Sequence, residues 1–331
     1  MSRKIRIVGA TTHIDAHNQR ITREALVQSA KDISTGEKPM LTLMHDMTIP
    51  PFGKMLTATV EPRDDGEYQL VIEGEIFDEA VWTNVQGVKL FKQESDTDAS
   101  PFVDGYKETS SDRYEIAVDG MNFESYDAVS SFMQQLKEET GVDFVESDFG
   151  RKSAIPDPEI IITLAQTVTA YVLGKKVIDT IAENVVDRIS TEVGNDIAEF
   201  YSFVTSTIRT YLGYIRAGNR PITYIFVLKG QPNVEFVAQT IDANLVLSAT
   251  NLDRMRDAIA KATPTISMFD AAKSQFLLSD AGEWEFNYLL TKSGGIIGTE
   301  KAHGRRSRVL EISFPSLPQT EVEQDLEASS T

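Results

Sequence analysis

Residues 40–76 read MLTLMHDMTIPPFGKMLTATVEPRDDGEYQLVIEGEI, and this stretch decides the fold of the first part of the chain. Its apolar and β-branched residues come in short runs separated by turn-forming residues, as the strands of a sheet require. The first run ends at His45, a loop with two prolines follows, and Asp64-Asp65-Gly66-Glu67 separates the next two runs. The pattern predicts three β-strands, at residues 40–44, 54–60 and 68–76.

The flanking sequence adds helices and further strands. A helix is expected to begin within residues 21–27, where Thr22 is a suitable N-cap because its hydroxyl can accept a free backbone N–H of the first turn. Residues 92–112 are polar and lack periodicity, which predicts a loop. Two more strands are predicted at residues 4–8 and 113–118, and an amphipathic helix at 125–139. The first part of the chain is therefore predicted to be β-rich.

The second half has a different pattern. Apolar residues at helical spacing predict one long helix over residues 159–189 and another over 196–215, with Gly194-Asn195 as the break between them. A β-hairpin, a further helix and a meander are predicted after these, at residues 222–239, 251–262 and 275–299. The predicted fold class is α+β: a β-rich domain followed by two long helices packed with an antiparallel sheet.

Charge is unevenly distributed along the chain and indicates a boundary. Residues 1–150 hold 14 basic and 28 acidic side chains, whereas residues 151–331 hold 18 and 22. The first half therefore has a net charge of −14 and the second half only −4. We predict four parts: a β-rich domain (1–142), a linker (143–158), a helix and sheet domain (159–315), and a disordered acidic tail (316–331).

Composition excludes several functional classes. The chain of 331 residues has a net charge of −18, which opposes generic binding to nucleic acid or anionic lipid. It contains no cysteine, which excludes thiolate chemistry and suits a cytoplasmic location. The most apolar run, residues 160–174, is too short to span a bilayer, and no leader peptide is predicted. We expect protein partners, either another protein or a homo-oligomer formed through helices 159–215, with no nucleic acid and no membrane span.

No metal or cofactor site is predicted. His13 and His17 lie four residues apart with Asp15 between them, but a third ligand group is missing, and a solvated turn is the better interpretation. Two acidic clusters lack the spacing of a calcium loop, and the glycines near Gly294 lack the context of a phosphate loop. These acidic clusters are Asp64-Asp65 and Glu94-Asp96-Asp98.

Residues 9–76 resemble the N-terminal part of phage prohead maturation proteases. In that family a turn and helix precede an apolar strand that ends in a histidine, followed by P-x-G and a strand that ends in E-G-E-I. This sequence has those elements in the same order, and the resemblance covers about 70 of its residues. They are Ile21-Thr22-x-Glu24-Ala25-Leu26, His45-Asp46, Pro51-x-Gly53, Gly66-Glu67-Tyr68 and Glu73-Gly74-Glu75-Ile76.

The resemblance implies a serine endopeptidase fold of the herpesvirus assemblin type, with His45 as the general base. A serine needs such an imidazole within hydrogen-bond reach, because its hydroxyl is a weak nucleophile. The family's serine lies about fifty residues beyond the histidine in a G-x-S-x-G-F context, and this sequence has no such string. Ser95 lies at that distance but in a loop, whereas Ser110 and Ser111 directly precede the strand at 113–118 and are the better candidates.

Two functional hypotheses follow. In the first, a degenerate prohead-protease-like domain acts through protein contacts as an assembly or regulatory protein. In the second, the chain is an active serine endopeptidase with His45 as base and Ser111 or Ser110 as nucleophile. One basic cluster, at residues 301–308, is expected to make contacts within the chain or between subunits.

Overall fold

The computed structural model describes most of the chain, with gaps between its described segments. These segments are residues 2–14, 20–36, 40–42, 46–77, 79–95, 98–102, 112–149, 158–174 and 189–313. Every structural statement below concerns these residues.

The first part of the chain forms a four-stranded antiparallel sheet. Its strand order is β1-β4-β3-β2. Helix α1 (Arg23–Ser34) packs on this sheet through Leu26, Ala30 and Ile33, and the Thr22 hydroxyl caps the helix by accepting the Ala25 N–H, as predicted. The strands are β1 (Ser2–Thr11), β2 (Met40–Leu41), β3 (Gly53–Pro62) and β4 (Tyr68–Phe77).

The remaining strands form one ten-stranded mixed sheet. Their order is β5-β6-β14-β13-β12-β11-β10-β9-β7-β8, and three of the pairs, β7 with β8, β9 with β10 and β11 with β12, are parallel. The strands are β5 (Val81–Val85), β6 (Val88–Gln93), β7 (Tyr114–Asp119), β8 (Phe144–Phe149), β9 (Glu159–Thr163), β10 (Ile222–Leu228), β11 (Asn233–Thr240), β12 (Ala271–Leu278), β13 (Trp284–Thr291) and β14 (Ile296–Thr299).

Five helices cover one face of the large sheet. Alternate strand residues point toward them, for example Ile160 and Ile162 of β9, and Phe226 and Phe236, which lie opposite each other on β10 and β11, point to the same side. The main hydrophobic core lies between this sheet face and the helices. The helices are α2 (Tyr126–Thr140), α3 (Gln166–Leu173), α4 (Ile189–Tyr214), α5 (Ala243–Ala249) and α6 (Leu252–Met268).

A last helix joins the two sheets. Helix α7 (Glu300–Ser313) buries Ala302 against Phe77 of the small sheet and aromatic residues of the large one. Further along, Val309 and Leu310 pack against the apolar cluster that contains Leu41. The small sheet and the C-terminal part of the large one are thereby held together.

The α+β class is confirmed, but several predicted elements were wrong. Residues 159–163 form a strand and not the start of a long helix, because this run of three isoleucines is buried between two neighbouring strands. Helix α4 continues through Gly194, since a glycine weakens a helix by only about 1 kcal/mol and packing outweighs that cost. The predicted linker contains β8, and the sheet is mixed instead of antiparallel.

The four predicted parts of the chain stay a prediction, and the sheet runs across the expected boundary. Strand β6 pairs with β14, and β7 pairs with β9, so hydrogen bonds join strands from both sides of residues 143–158. The predicted tail and the second half of the helix at 159–189 lie outside the described residues.

Candidate functional site

The residues predicted to be catalytic, His45, Ser110 and Ser111, all lie outside the described residues. Their mutual geometry therefore stays a prediction. The residue after the histidine is described: Asp46 accepts hydrogen bonds at Oδ1 from the Thr48 N–H, at 2.8 Å, and from the Thr48 hydroxyl, at 2.7 Å. The chain is thus fixed one residue beyond His45.

A buried asparagine of the large sheet anchors this turn. Asn287 donates from Nδ2 to the Thr48 carbonyl and to Gln275 Oε1, both at 2.8 Å, and accepts from Arg305 Nη2 at 2.6 Å. A register shift between β12 and β13 occurs beside Asn287, and such bulges redirect a side chain. Asn287 is only 1% exposed, and a buried polar side chain needs such hydrogen-bond partners because water cannot reach it.

An ion pair continues this row of polar residues across the sheet. Gln275 donates from Nε2 to Glu235 Oε2 at 3.3 Å, and Glu235 Oε1 lies 2.6 Å from Lys273 Nζ. The Lys273 and Glu235 side chains are 2% and 4% exposed. Charges so deeply buried have to be paired, because an isolated charge in the protein interior is strongly destabilising.

A second buried ionic cluster lies on the small sheet. Lys54 on β3 is directly opposite Glu75 on β4, and the two residues are 0% and 1% exposed. The Lys54 ammonium donates to the carbonyls of Asp98 and Ser100 and lies 4.0 Å from Asp98 Oδ2. Burial lowers the pKa of Lys54, although the negative charges of Asp98 and Glu75 oppose that shift.

Ser95 belongs to this second cluster. Its hydroxyl donates to Glu75 Oε2 at 2.5 Å and accepts the Asp98 N–H at 2.8 Å. The other acid of the cluster, Asp98, has a pKa below its ordinary value: burial acts to raise it, but hydrogen bonds from Ser100 and the charge of Lys54 outweigh burial. The Ser95 hydroxyl is bound to a carboxylate and holds the loop that carries Asp98.

The glycine of the P-x-G element has a structural role at the same place. A Cβ atom built on Gly53 would lie 1.7 Å from the carbonyl oxygen of Glu75, so no other residue fits without moving β4. The neighbouring Phe52 accepts the Phe77 N–H at its carbonyl and donates its own N–H to Leu41. Pro51-x-Gly53 therefore sets the start of β3 against β4.

The basic cluster at residues 301–308 is part of helix α7, which sequence reasoning missed. Arg306 is 2% exposed and donates to the carbonyls of Phe52 and Phe77 and to Gln93. Lys301 pairs with Glu285 at 2.7 Å, and Arg305 bonds Asn287. Three of these cations therefore make contacts within the chain, which is one of the two roles expected for them.

The described histidines have other neighbours. His13 contacts Asp65 through Nε2 at 3.1 Å and Thr11 through Nδ1. The His303 ring packs edge-on against Trp82 and Phe91, with ring centroids 5.3 and 5.1 Å away. Burial lowers the pKa of His303, and the charge of Arg306 lowers it further.

Some of the loop residues considered as metal or phosphate ligands are described. Among the described residues no group of three or more histidines and acids is arranged to hold a metal ion. Asp65 caps its own turn by accepting the Glu67 N–H, and Gly294 adopts a positive φ of 76° in the turn between β13 and β14. His17, Asp15 and Asp96 lie outside the described residues.

Comparison with known proteins does not identify a family. Scans against protein-family profiles, curated proteins and solved structures found no match for this chain. The resemblance to prohead proteases therefore stays a hypothesis. The 26-residue helix α4 is not apolar enough to cross a bilayer, and the other described helices also lack the necessary length or character.

Proposed function

We propose that this protein is an assembly or regulatory protein that acts through contacts with other protein surfaces, on a prohead-protease-like N-terminal part that has lost catalysis. The supporting observation is the buried cluster of Lys54, Glu75 and Ser95. Its polar atoms bind one another and the loop at residues 98–100, so the cluster stabilises the fold instead of presenting a reactive group.

Charge indicates the class of partner. The N-terminal half has a net charge of −14, and an acidic surface attracts a basic protein surface while it repels nucleic acid. A cytoplasmic location and a homo-oligomer formed through residues 159–215 belong to the same proposal. The apolar side chains Phe200, Phe203, Val204, Ile208 and Tyr211 of α4 lie in the main core, so self-association would use other parts of this region.

An active serine endopeptidase is the alternative, and one observation favours it. The turn that starts at Asp46, the residue after His45 in the sequence, is fixed by Thr48, Asn287 and Arg305. A general base benefits from this kind of preorganisation. In this alternative, Ser111 or Ser110 would be the nucleophile.

Labelling with a fluorophosphonate, which reacts with activated serines, separates the two functions. We expect no labelling of the wild-type chain, because the proposed protein has no activated serine. Variants His45→Ala, Ser110→Ala, Ser111→Ala and Ser95→Ala are the matched set. Labelling that is lost in His45→Ala and in one serine variant, while the other variants keep it, would overturn the assembly proposal in favour of the endopeptidase.

A further inference from the structure

Two outermost strands of the structure carry opposite charge. Strand β1 forms one edge of the small sheet and β8 one edge of the large sheet, and no described strand pairs with the outer side of either. The β1 sequence SRKIRIVGAT contains three bases and no acid, whereas the β8 sequence FVESDF contains two acids and no base. We propose that β1 of one copy pairs with β8 of a second copy and so builds head-to-tail assemblies.

Strand β1 has no described strand on its outer side. Strand β1 has ten residues and no proline, and its only irregularity lies near Gly9, so residues 2–8 are regular. Lys4, Arg6 and Val8 are exposed, with Val8 52% exposed. An exposed strand of this length offers a row of backbone groups to a partner strand.

The β8 edge is complementary. Val145 and Glu146 are exposed, and β8 is bonded only on its β7 side among the described strands. Glu146 and Arg6 each have an ion-pair partner, Lys137 and Glu61, but both pairs are exposed. Because exposed ion pairs contribute little to stability, exchanging them for pairs between copies costs little.

The charges select one pairing among three. Two β1 edges would place lysine and arginine against each other, and two β8 edges would oppose acids, both of which are unfavourable across a strand pair. Only β1 against β8 brings opposite charges together. The net charge of −18 acts against association over long distances, but salt screens that repulsion more than it screens charges in contact.

Such a contact joins two different surfaces, so it leaves one free β1 edge and one free β8 edge at the ends. An interface of this kind produces rings or open filaments instead of closed dimers. The inference rests on the proposed assembly function and names a second copy of this chain as the partner.

Sedimentation velocity on the full chain tests the pairing. We expect the wild-type mass to increase from low to high micromolar concentration. The double variants Lys4→Glu/Arg6→Glu and Glu146→Lys/Asp148→Lys should each associate more weakly by roughly tenfold or more, since attraction becomes repulsion at the edge. Lys31→Glu/Lys261→Glu, which changes the net charge as much as the β1 variant on exposed helix positions, should associate like the wild type.

An equimolar mixture of the two edge variants is the decisive sample. The β1 variant keeps a native β8 edge and the β8 variant keeps a native β1 edge, and the two altered edges also carry opposite charges, so the mixture should recover the association that each variant alone has lost. A wild-type chain that stays monomeric, edge variants that associate like the wild type, or a mixture that stays monomeric would each overturn the pairing. Circular dichroism of every variant shows that it is folded. If the wild type neither assembles nor reacts with the fluorophosphonate, the strand pairing is wrong, whereas the proposed function stands with a different protein as the partner.

Discussion

At the scale of single residues, the buried charge of Lys54 has the largest expected effect on stability. The ammonium is fully buried, faces Glu75 and binds two backbone carbonyls. Lys54→Met keeps most of the side-chain volume but removes the positive charge that binds the Asp98 and Ser100 carbonyls and faces Glu75. We expect the free energy of unfolding to fall by about 3 kcal/mol, because two buried carbonyls lose a charged donor and the nearby acids lose a cation.

Chemical denaturation measures this loss. Lys89→Met is the matched control, since Lys89 also pairs with an acid, Glu300, but has a 55% exposed side chain, and its replacement should change stability by less than about 1 kcal/mol. The double variant Lys54→Met/Glu75→Gln should recover part of the loss. Equal stability of the Lys54 and Lys89 variants would contradict a structural role for the cluster.

Burial of His303 is expected to make the free energy of unfolding depend on pH. Burial against Trp82 and Phe91 lowers its pKa in the folded state below the ordinary 6.5, so the unfolded chain takes up the proton first. The stability that neutral His303 contributes is fully present above pH 6.5 and is lost as the pH falls through the folded-state pKa. His303→Phe keeps the ring contacts and cannot be protonated.

We therefore expect the wild type to lose stability more steeply than His303→Phe does as the pH falls below 6.5. Denaturant midpoints measured across this range test the difference. His13→Gln, at a histidine whose side chain is 43% exposed, is the control substitution. Parallel curves for the wild type and His303→Phe would contradict the assignment to His303.

Local chemistry was predictable at this scale, but buried charge was not. The Thr22 cap and the turn at Gly66 depend on neighbours in sequence, and both agree with the structure. Lys54 finds its partners in the loop at residues 98–100, and Lys273 pairs with Glu235 on a strand remote in sequence. Their one sequence signal is a charge inside an apolar strand, as in VEFVA at residues 234–238, which does not say which group is the partner.

At the scale of elements, two glycines have opposite expected effects. At Gly53 a Cβ would collide with the Glu75 carbonyl, so Gly53→Ala should separate β3 from β4 and destabilise the protein by about 2 kcal/mol or more. At Gly213, in the last turn of α4, a Cβ meets no atom within 4 Å. Gly213→Ala should therefore stabilise the protein slightly, by up to about 0.5 kcal/mol, since the gain is largest in a helix interior.

Thermal unfolding of both glycine variants tests this contrast between a strand that depends on close approach and a helix that tolerates a side chain. Destabilisation by both substitutions, or by neither, would contradict the packing described for β3 and α4.

Helices with a clear apolar stripe, and the hairpin and the meander of the second half, were predictable, and elements defined by remote contacts were not. Residues 159–163 were predicted to be helical because a run of isoleucines fits a buried strand and a buried helix equally well. Strand β8 and helix α7 were missed because FVESDF and EKAHGRRSRVLEIS are polar. Arg306, the residue that fixes α7, has buried partners at Phe52, Phe77 and Gln93, far away in sequence.

At the scale of the whole molecule, the ten-stranded sheet predicts cooperative unfolding. The two tryptophans lie in strands from different halves of the chain, Trp82 in β5 and Trp284 in β13, and the sheet joins both strands through β6 and β14. Single-tryptophan variants, Trp82→Phe and Trp284→Phe, therefore each report on one half. We expect their fluorescence transitions in denaturant to coincide, as a single cooperative unit requires.

Separate midpoints for the two tryptophans would instead support independent domains on either side of residues 143–158. The sequence favoured that division because charge and composition change near residue 150. It could not show that β6 and β7 pair with strands of the second half, since register between distant strands is set by tertiary packing.

The central claim is that this protein acts by contact and not by cleavage, and the mass of the intact wild-type chain after fluorophosphonate treatment tests it most directly. We predict an unmodified mass, because the Ser95 hydroxyl is bound to Glu75 and the proposed function uses no activated serine. A stoichiometric adduct on Ser110 or Ser111 that requires His45 would contradict the claim.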